Sequence, residues 1–197
     1  MKNLEKKIYD DLKTIPPKKR RELLIREMAN LTDKNIHCFK CTGTCCTMSA
    51  NSMQITPLEA LDILLSLNIS AENANEFKEN MKENIKHYRL DNEISLGKKA
   101  HTHLRKTYTC PFFVPGPKGC TIKKELKPYG CLGFNPRLEE DNGSQCHSDF
   151  NLLEAREVSH LPNETDANAY IKILYQLNWN KLEIPKAVLV LLEHIYP

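Results

Sequence analysis

Several features that commonly announce a function are missing from this chain. Net charge is only +3 over 197 residues, so no excess of one sign argues for nucleic acid or an anionic membrane as partner. Met1 to Lys7 carries charges with no apolar run behind them, so a secretory leader is not expected. The apolar stretch Ala187 to Leu192 is far below the ~20 residues that span a bilayer. No glycine-rich phosphate loop follows a strand-like run. No nucleophile–base pair, paired-carboxylate site, internal repeat or low-complexity tract stands out. The expected location is the cytoplasm, a reducing compartment; a protein partner is left open.

What the chain does have is cysteine. Eight occur: Cys38, Cys41, Cys45, Cys46, Cys110, Cys120, Cys131 and Cys146. In a reducing compartment such density points to metal or redox chemistry rather than to disulfides. Cys38, Cys41, Cys45 and Cys46 fall within nine residues. A C-x2-C pair brings two sulfurs to one metal, and thiolates are the preferred ligands of zinc and of iron–sulfur clusters. Gly43 relaxes the backbone between the pairs. In an extended backbone neighbouring side chains point to opposite faces. Cys45 and Cys46 are therefore expected to serve different metals, to span a multinuclear cluster, or to leave one sulfur unused. Eight thiolates suit two four-thiolate sites, or one cluster and a smaller site. His37 and His147 adjoin cysteines, and His101 and His103 would share a strand face; surface or hydrogen-bonded histidines are the simpler reading, because the thiolates suffice.

The remaining pattern is helical. Leu4, Ile8 and Leu12 repeat at helical spacing, and Pro16-Pro17 ends that run. Leu24, Met28 and Leu31 mark a second helix, whose opening Lys18-Lys19-Arg20-Arg21 reads as a solvated turn rather than a nucleic-acid patch. Thr56-Pro57-Leu58-Glu59 is a capping box with proline at the first helical position, leading a stripe of Leu58, Leu61 and Leu65. Phe77, Met81, Ile85 and Tyr88 mark a helix over 71–88. Periodicity fails from Gly97 to Phe150, where six of the seven glycines lie. Helices return with Tyr170, Ile173, Leu174 and Leu177 on one stripe and Val188, Leu191, Leu192 and Ile195 on another. The expected fold is mainly α, with helices packed around an irregular cysteine-rich metal-binding centre and at most a short β-hairpin, near Cys120. Three segments are expected: a helical arm over 1–36, the cysteine-cluster region over 37–150, and a helical segment over 151–197 packing on it.

These blocks resemble the CxxCxxxCC zinc- or iron-chelating domain family, the YkgJ-like cysteine-cluster proteins. Cys38, Cys41, Cys45 and Cys46 match the motif in its name. Cys110-Pro111-Phe112, Gly119-Cys120-Thr121-Ile122, and Pro128 and Cys131 with Phe134 and Pro136 resemble its later blocks, and Cys146 its last cysteine. Lys127 and Leu132 stand where arginine is usual, and Lys123 where tyrosine is common. The resemblance implies an iron–sulfur cluster or Zn2+ held by the cysteines. A similar block in flagellin lysine methylases adds protein lysine methylation as an alternative. A redox enzyme and a zinc-stapled interaction module are the others.

Overall fold

A computed structural model describes residues 9–34, 43–67, 69–92, 105–115, 119–135 and 146–197. It is mainly helical. Residues 9–12 are helical, and Pro16-Pro17 separates them from α1 (Pro17–Arg20) and α2 (Glu22–Asp33). Then come α3 (Pro57–Ser66), α4 (Ala74–His87), the short α5 (Tyr129–Leu132), α6 (Phe150–Leu174) and α7 (Ile184–Ile195). None of the helices described is long and apolar enough to cross a membrane.

The start of α3 follows from its sequence. Thr56 accepts from the Glu59 amide, the Glu59 carboxylate accepts from the Thr56 amide, and Pro57 opens the helix. This arrangement satisfies two otherwise orphaned donors and contributes about 1 kcal/mol. The helix is buried on every side from Pro57 to Leu64, because α6 and α7 both pack on it while α4 lies along α7. Leu58, Leu61, Ile63 and Leu64 meet Val188, Leu191 and Leu192 in the main core. Each such side chain contributes roughly 1.5–3 kcal/mol on burial.

The expected hairpin is present: β2 (Phe113–Val114) pairs antiparallel with β3 (Gly119–Cys120), Phe113 opposite Cys120. Two further ladders join distant segments. β1 (Gln54–Ile55) pairs with β6 (Leu182–Glu183), and β4 (Phe134–Asn135) with β5 (His147–Ser148). Both lack the alternating runs that sequence pattern detects, since each strand has only two residues.

Two expectations are corrected. The first concerns Lys18-Lys19-Arg20-Arg21. Lys18 and Lys19 are exposed, but Arg20 and Arg21 have no solvent exposure at all. They converge on Asp62 of α3, at 2.8 Å and 2.7 Å. Arginine tolerates burial where its fixed donors find a carboxylate. The second concerns the stripe of Tyr170, Ile173 and Leu174. These residues are 38%, 79% and 46% exposed. The inward face of α6 is instead Arg156, Glu164, Ala167 and Ile171. Charged residues occupy half of that face, so an apolar periodicity cannot find it. Leu177, the last member of that stripe, is buried.

A second, smaller core joins Leu24 of α2, Tyr129 and Leu132 of α5, and Leu152 and Leu153 of α6. It fixes α5, the helix that carries Cys131.

Candidate metal centre

Six of the cysteines fall among the described residues; Cys38 and Cys41 lie outside them, as do His37, His101 and His103. Gly43 adopts φ +77°, the left-handed conformation open to glycine, and a Cβ there would sit 2.1 Å from the Phe113 ring. The chain then enters a 3-10 turn over Thr44–Cys46. Because the backbone is turned and not extended, the side chains of Cys45 and Cys46 do not point apart. Their sulfurs are 3.9 Å from each other. Sulfurs around one zinc, at about 2.3 Å from the metal, stand about 3.8 Å apart. The two sulfurs thus lie side by side rather than on opposite faces, which corrects the expectation that an extended backbone would point them apart.

The segment 108–110 is strapped to this turn. The Cys110 amide donates to the Cys46 carbonyl at 2.8 Å, and the Tyr108 amide to the Asn51 carbonyl at 2.9 Å. Tyr108 is fully buried; its hydroxyl donates to the Met53 carbonyl and accepts from the Ile184 amide. Cys120 arrives on β3, opposite Phe113. Cys131 arrives on α5, whose first amide, Tyr129, donates to Glu59 at 2.9 Å. Four segments thus deliver Cys46, Cys110, Cys120 and Cys131, which are thiols in no disulfide, to one region. Cys146 immediately precedes β5, the partner of the strand that leaves α5. His147 is exposed on that strand.

The electrostatics agree with convergence. Burial raises the Cys110 thiol far above its ordinary value, and nearby Cys120 and Cys46 raise it further. Burial likewise raises Cys131 well above the ordinary range, with Cys110, Cys120, Cys46 and Glu59 adding to it. Cys120 is raised by burial, against the pull of Lys127. Cys46 is the exception: the hydrogen bond from Cys45 lowers it to about 7, despite its burial. One centre thus holds one readily ionised thiol and others that resist ionisation until something compensates their charge.

The donor set is chemically that of a soft-metal site. Among the described residues, however, no three His, Cys, Asp or Glu side chains stand as a group that could hold a metal ion. No family model matches the chain. No curated protein or solved structure matches it either.

Three elements of the site lay beyond sequence reasoning. Glu59 does double duty, capping α3 and accepting from Tyr129. The Lys127 charge favours the ionised form of three of the thiols, Cys46, Cys110 and Cys120. The third is the Arg20–Arg21–Asp62 cluster, which continues into Tyr129: the tyrosine hydroxyl accepts from Arg20 and donates to Glu164 at 2.6 Å, while the Arg156 guanidinium lies 3.3 Å from the ring centroid. The available signal was Glu59 and Asp62 sitting inside an otherwise apolar Leu58–Leu64 run, which a helix buried all round must pair.

The raised thiols carry a testable consequence for the metal-free protein. Their folded-state values lie above the unfolded cysteine value of about 8.5. Their contribution to stability is then complete below that pH and is lost as pH rises through the folded values. Thermal melts under reductant and chelator are expected to show a falling midpoint above about pH 8.5, and Cys110→Ser should flatten that fall. A midpoint that stays level to pH 10.5 in the wild type would contradict the burial of these thiols.

Proposed function

We propose that this chain is a metal-binding protein whose clustered thiols hold an iron–sulfur cluster or, less favoured, a zinc ion, in a reducing compartment. The observation that carries the reading is the Cys45–Cys46 pair, its sulfurs 3.9 Å apart, with the Cys110 amide bonded to the Cys46 carbonyl; Cys120 and Cys131 stand near enough for their charges to bear on Cys110. Soft thiol donors in this number have no comparable role as packing groups. In sequence, Cys38 and Cys41 stand a few residues before the 3-10 turn. The order of cysteine blocks, which resembles the CxxCxxxCC chelating family, adds support from a different direction. A cluster is placed ahead of zinc because more sulfurs gather here than one tetrahedral ion requires.

When bound, such a group supplies Lewis-acid or electron-transfer chemistry. The chain's own residues do the rest. Glu59 and the second core fix α5, the Tyr108 strap fixes Cys110, and Gly43 lets the 3-10 turn close on Phe113. The test is the content of iron, zinc and acid-labile sulfide, with a visible spectrum, on protein purified without oxygen. Iron with sulfide and broad absorption in the blue is the expected result. Colourless protein with stoichiometric zinc would select the second metal. Protein without either metal, with all thiols titratable, would overturn the reading.

A further inference from the structure

The polarity of α6 is inverted. Arg156 and Glu164 occupy its inward face, while Val158, Leu161 and Ile173 stand 71%, 49% and 79% exposed. The outermost positions run Ala155, Val158, Pro162, Thr165, Ala169 and Ile173, at steps of three and four, and all are exposed and uncharged. The fold of one chain makes no use of them: α2 and α3 pack on α6 from the side where Arg156, Glu164, Ala167 and Ile171 are buried. From Val158 to Ile173 this stripe follows about 22 Å of helix. An apolar stripe of that length turned to water is the pattern of a face that another helix covers. The charges beside it indicate which helix. At 3.6 residues per turn, Glu157 and Lys172 fall on one edge of the stripe, near its opposite ends, and Asp166 falls on the other edge near the middle.

We propose that this face is covered by α6 of a second copy of the chain, in an antiparallel two-fold pair centred on Thr165. An isologous contact of this kind must be complementary to itself, and the stripe is. Pairing about Thr165 sets Val158 against the second copy's Ile173 and sets Leu161 and Pro162 against its Ala169, bulky groups facing a small one. Two-fold antiparallel pairing also brings like edges together, so Glu157 of each copy meets Lys172 of the other, twice per dimer. A parallel pair brings opposite edges together, and neither Glu157 nor Lys172 then meets an opposite charge. Lys172 bonds Asn180 at 2.7 Å in an exposed setting, a partner it exchanges at little cost. One contact opposes association: the two Asp166 carboxylates approach each other across the axis at the far edge. A single helix pair is at the small end of specific interfaces, so the dimer is expected to be reversible.

The experiment is sedimentation velocity on the full chain, kept under reductant so that no disulfide joins two copies. Wild type is expected to pass from monomer to dimer with a midpoint of about 10–100 µM. Ile173→Asp should stay monomeric throughout. Its melting midpoint at low concentration should match wild type, because in the monomer that side chain already stands in water. Glu157→Lys and Lys172→Glu should each weaken the dimer about tenfold, the double variant should recover it, and Asp166→Asn should tighten it about threefold. Wild type that is monomeric at every concentration would overturn the proposal; a lowered midpoint in Ile173→Asp would then assign the face to another part of the same chain. A dimer that withstands Ile173→Asp, or that the charge swap fails to recover, would overturn it equally, by placing the contact on another surface or in another register.

Discussion

Asp62→Asn is expected to destabilise the protein by about 3–5 kcal/mol, although Asp62 is remote from any surface. The carboxylate has no exposure and neither have its two partners, Arg20 and Arg21. It also accepts from the Tyr9 hydroxyl at 2.5 Å. Removing its charge leaves two guanidiniums buried against a neutral amide, and the cost is that of uncompensated charge rather than of a lost contact. The measurement is urea unfolding followed by far-ultraviolet circular dichroism. A change below about 1 kcal/mol, the range of exposed ion pairs, would mean the cluster is hydrated. Acid provides a second readout. Burial pushes the Asp62 carboxyl up, but Arg21 and Arg20 outweigh it, and the net displacement is downward. Its contribution is present above the unfolded value of about 3.9 and is lost as pH falls through the folded value. Asp62→Asn should therefore remove part of the wild-type loss of stability in acid.

The second large effect concerns the proposed metal. Stripping it from loaded protein is expected to lower stability by about 4 kcal/mol where the free ion had stood at a thousandfold its dissociation constant. The loss should be local in its structural reach. The helical part of the main core, Leu58, Leu61, Ile63, Val188, Leu191 and Leu192, packs helix on helix, while Cys110 with Tyr108, Phe112 and Ile122 forms its edge and Cys120 and Cys131 pack against it. The described residues 105–115 and 119–135 are built of short strands, turns and the brief α5. Hydrogen exchange should accordingly rise across 105–115 and 119–135 while α3, α4 and α7 stay protected. Uniform loss of protection would show that the centre holds the whole fold, as in small metal-nucleated domains. No change on stripping would remove the structural role altogether.

How far the sequence spoke depended on whether a signal was local. Thr56, Pro57 and Glu59 lie within four residues of one another, and the helix start they imply is there as read. Met81, Ile85, Val188 and Leu191 report their own burial through spacing. Arg20 and Arg21 do not, because the group that takes them out of water is 42 and 41 residues away. Beside Lys18 and Lys19 they look like solvated charge. Tyr170 and Ile173 misled for the reverse reason: an apolar stripe formed on α6, but the inward position fell to Arg156 and Glu164, which pair with each other and with Tyr129 and Arg20. At the thiol centre the residue types were legible and the geometry was not. Whether adjacent sulfurs diverge or meet depends on the 3-10 turn after Gly43, and a sequence read as extended puts Cys45 and Cys46 on opposite sides. Cys38 and Cys41 remain expectations, lying outside the described residues.

The arginine cluster also orders events in time. Arg20 and Arg21 leave the ribosome early, yet what satisfies them arrives late. Asp62 comes first, then the Lys127 carbonyl and the Tyr129 hydroxyl, and last Arg156, which donates back to the Arg20 carbonyl at 3.0 Å across 136 residues of chain. Closing contacts of that span is slow. The Arg20–Arg21 turn thus collects partners from along the chain, the most distant of them on α6. The two guanidiniums find Asp62, the Lys127 carbonyl and the Tyr129 hydroxyl without α6; α6 adds Glu164, 3.8 Å from Arg20, and the Arg156 bond to the Arg20 carbonyl.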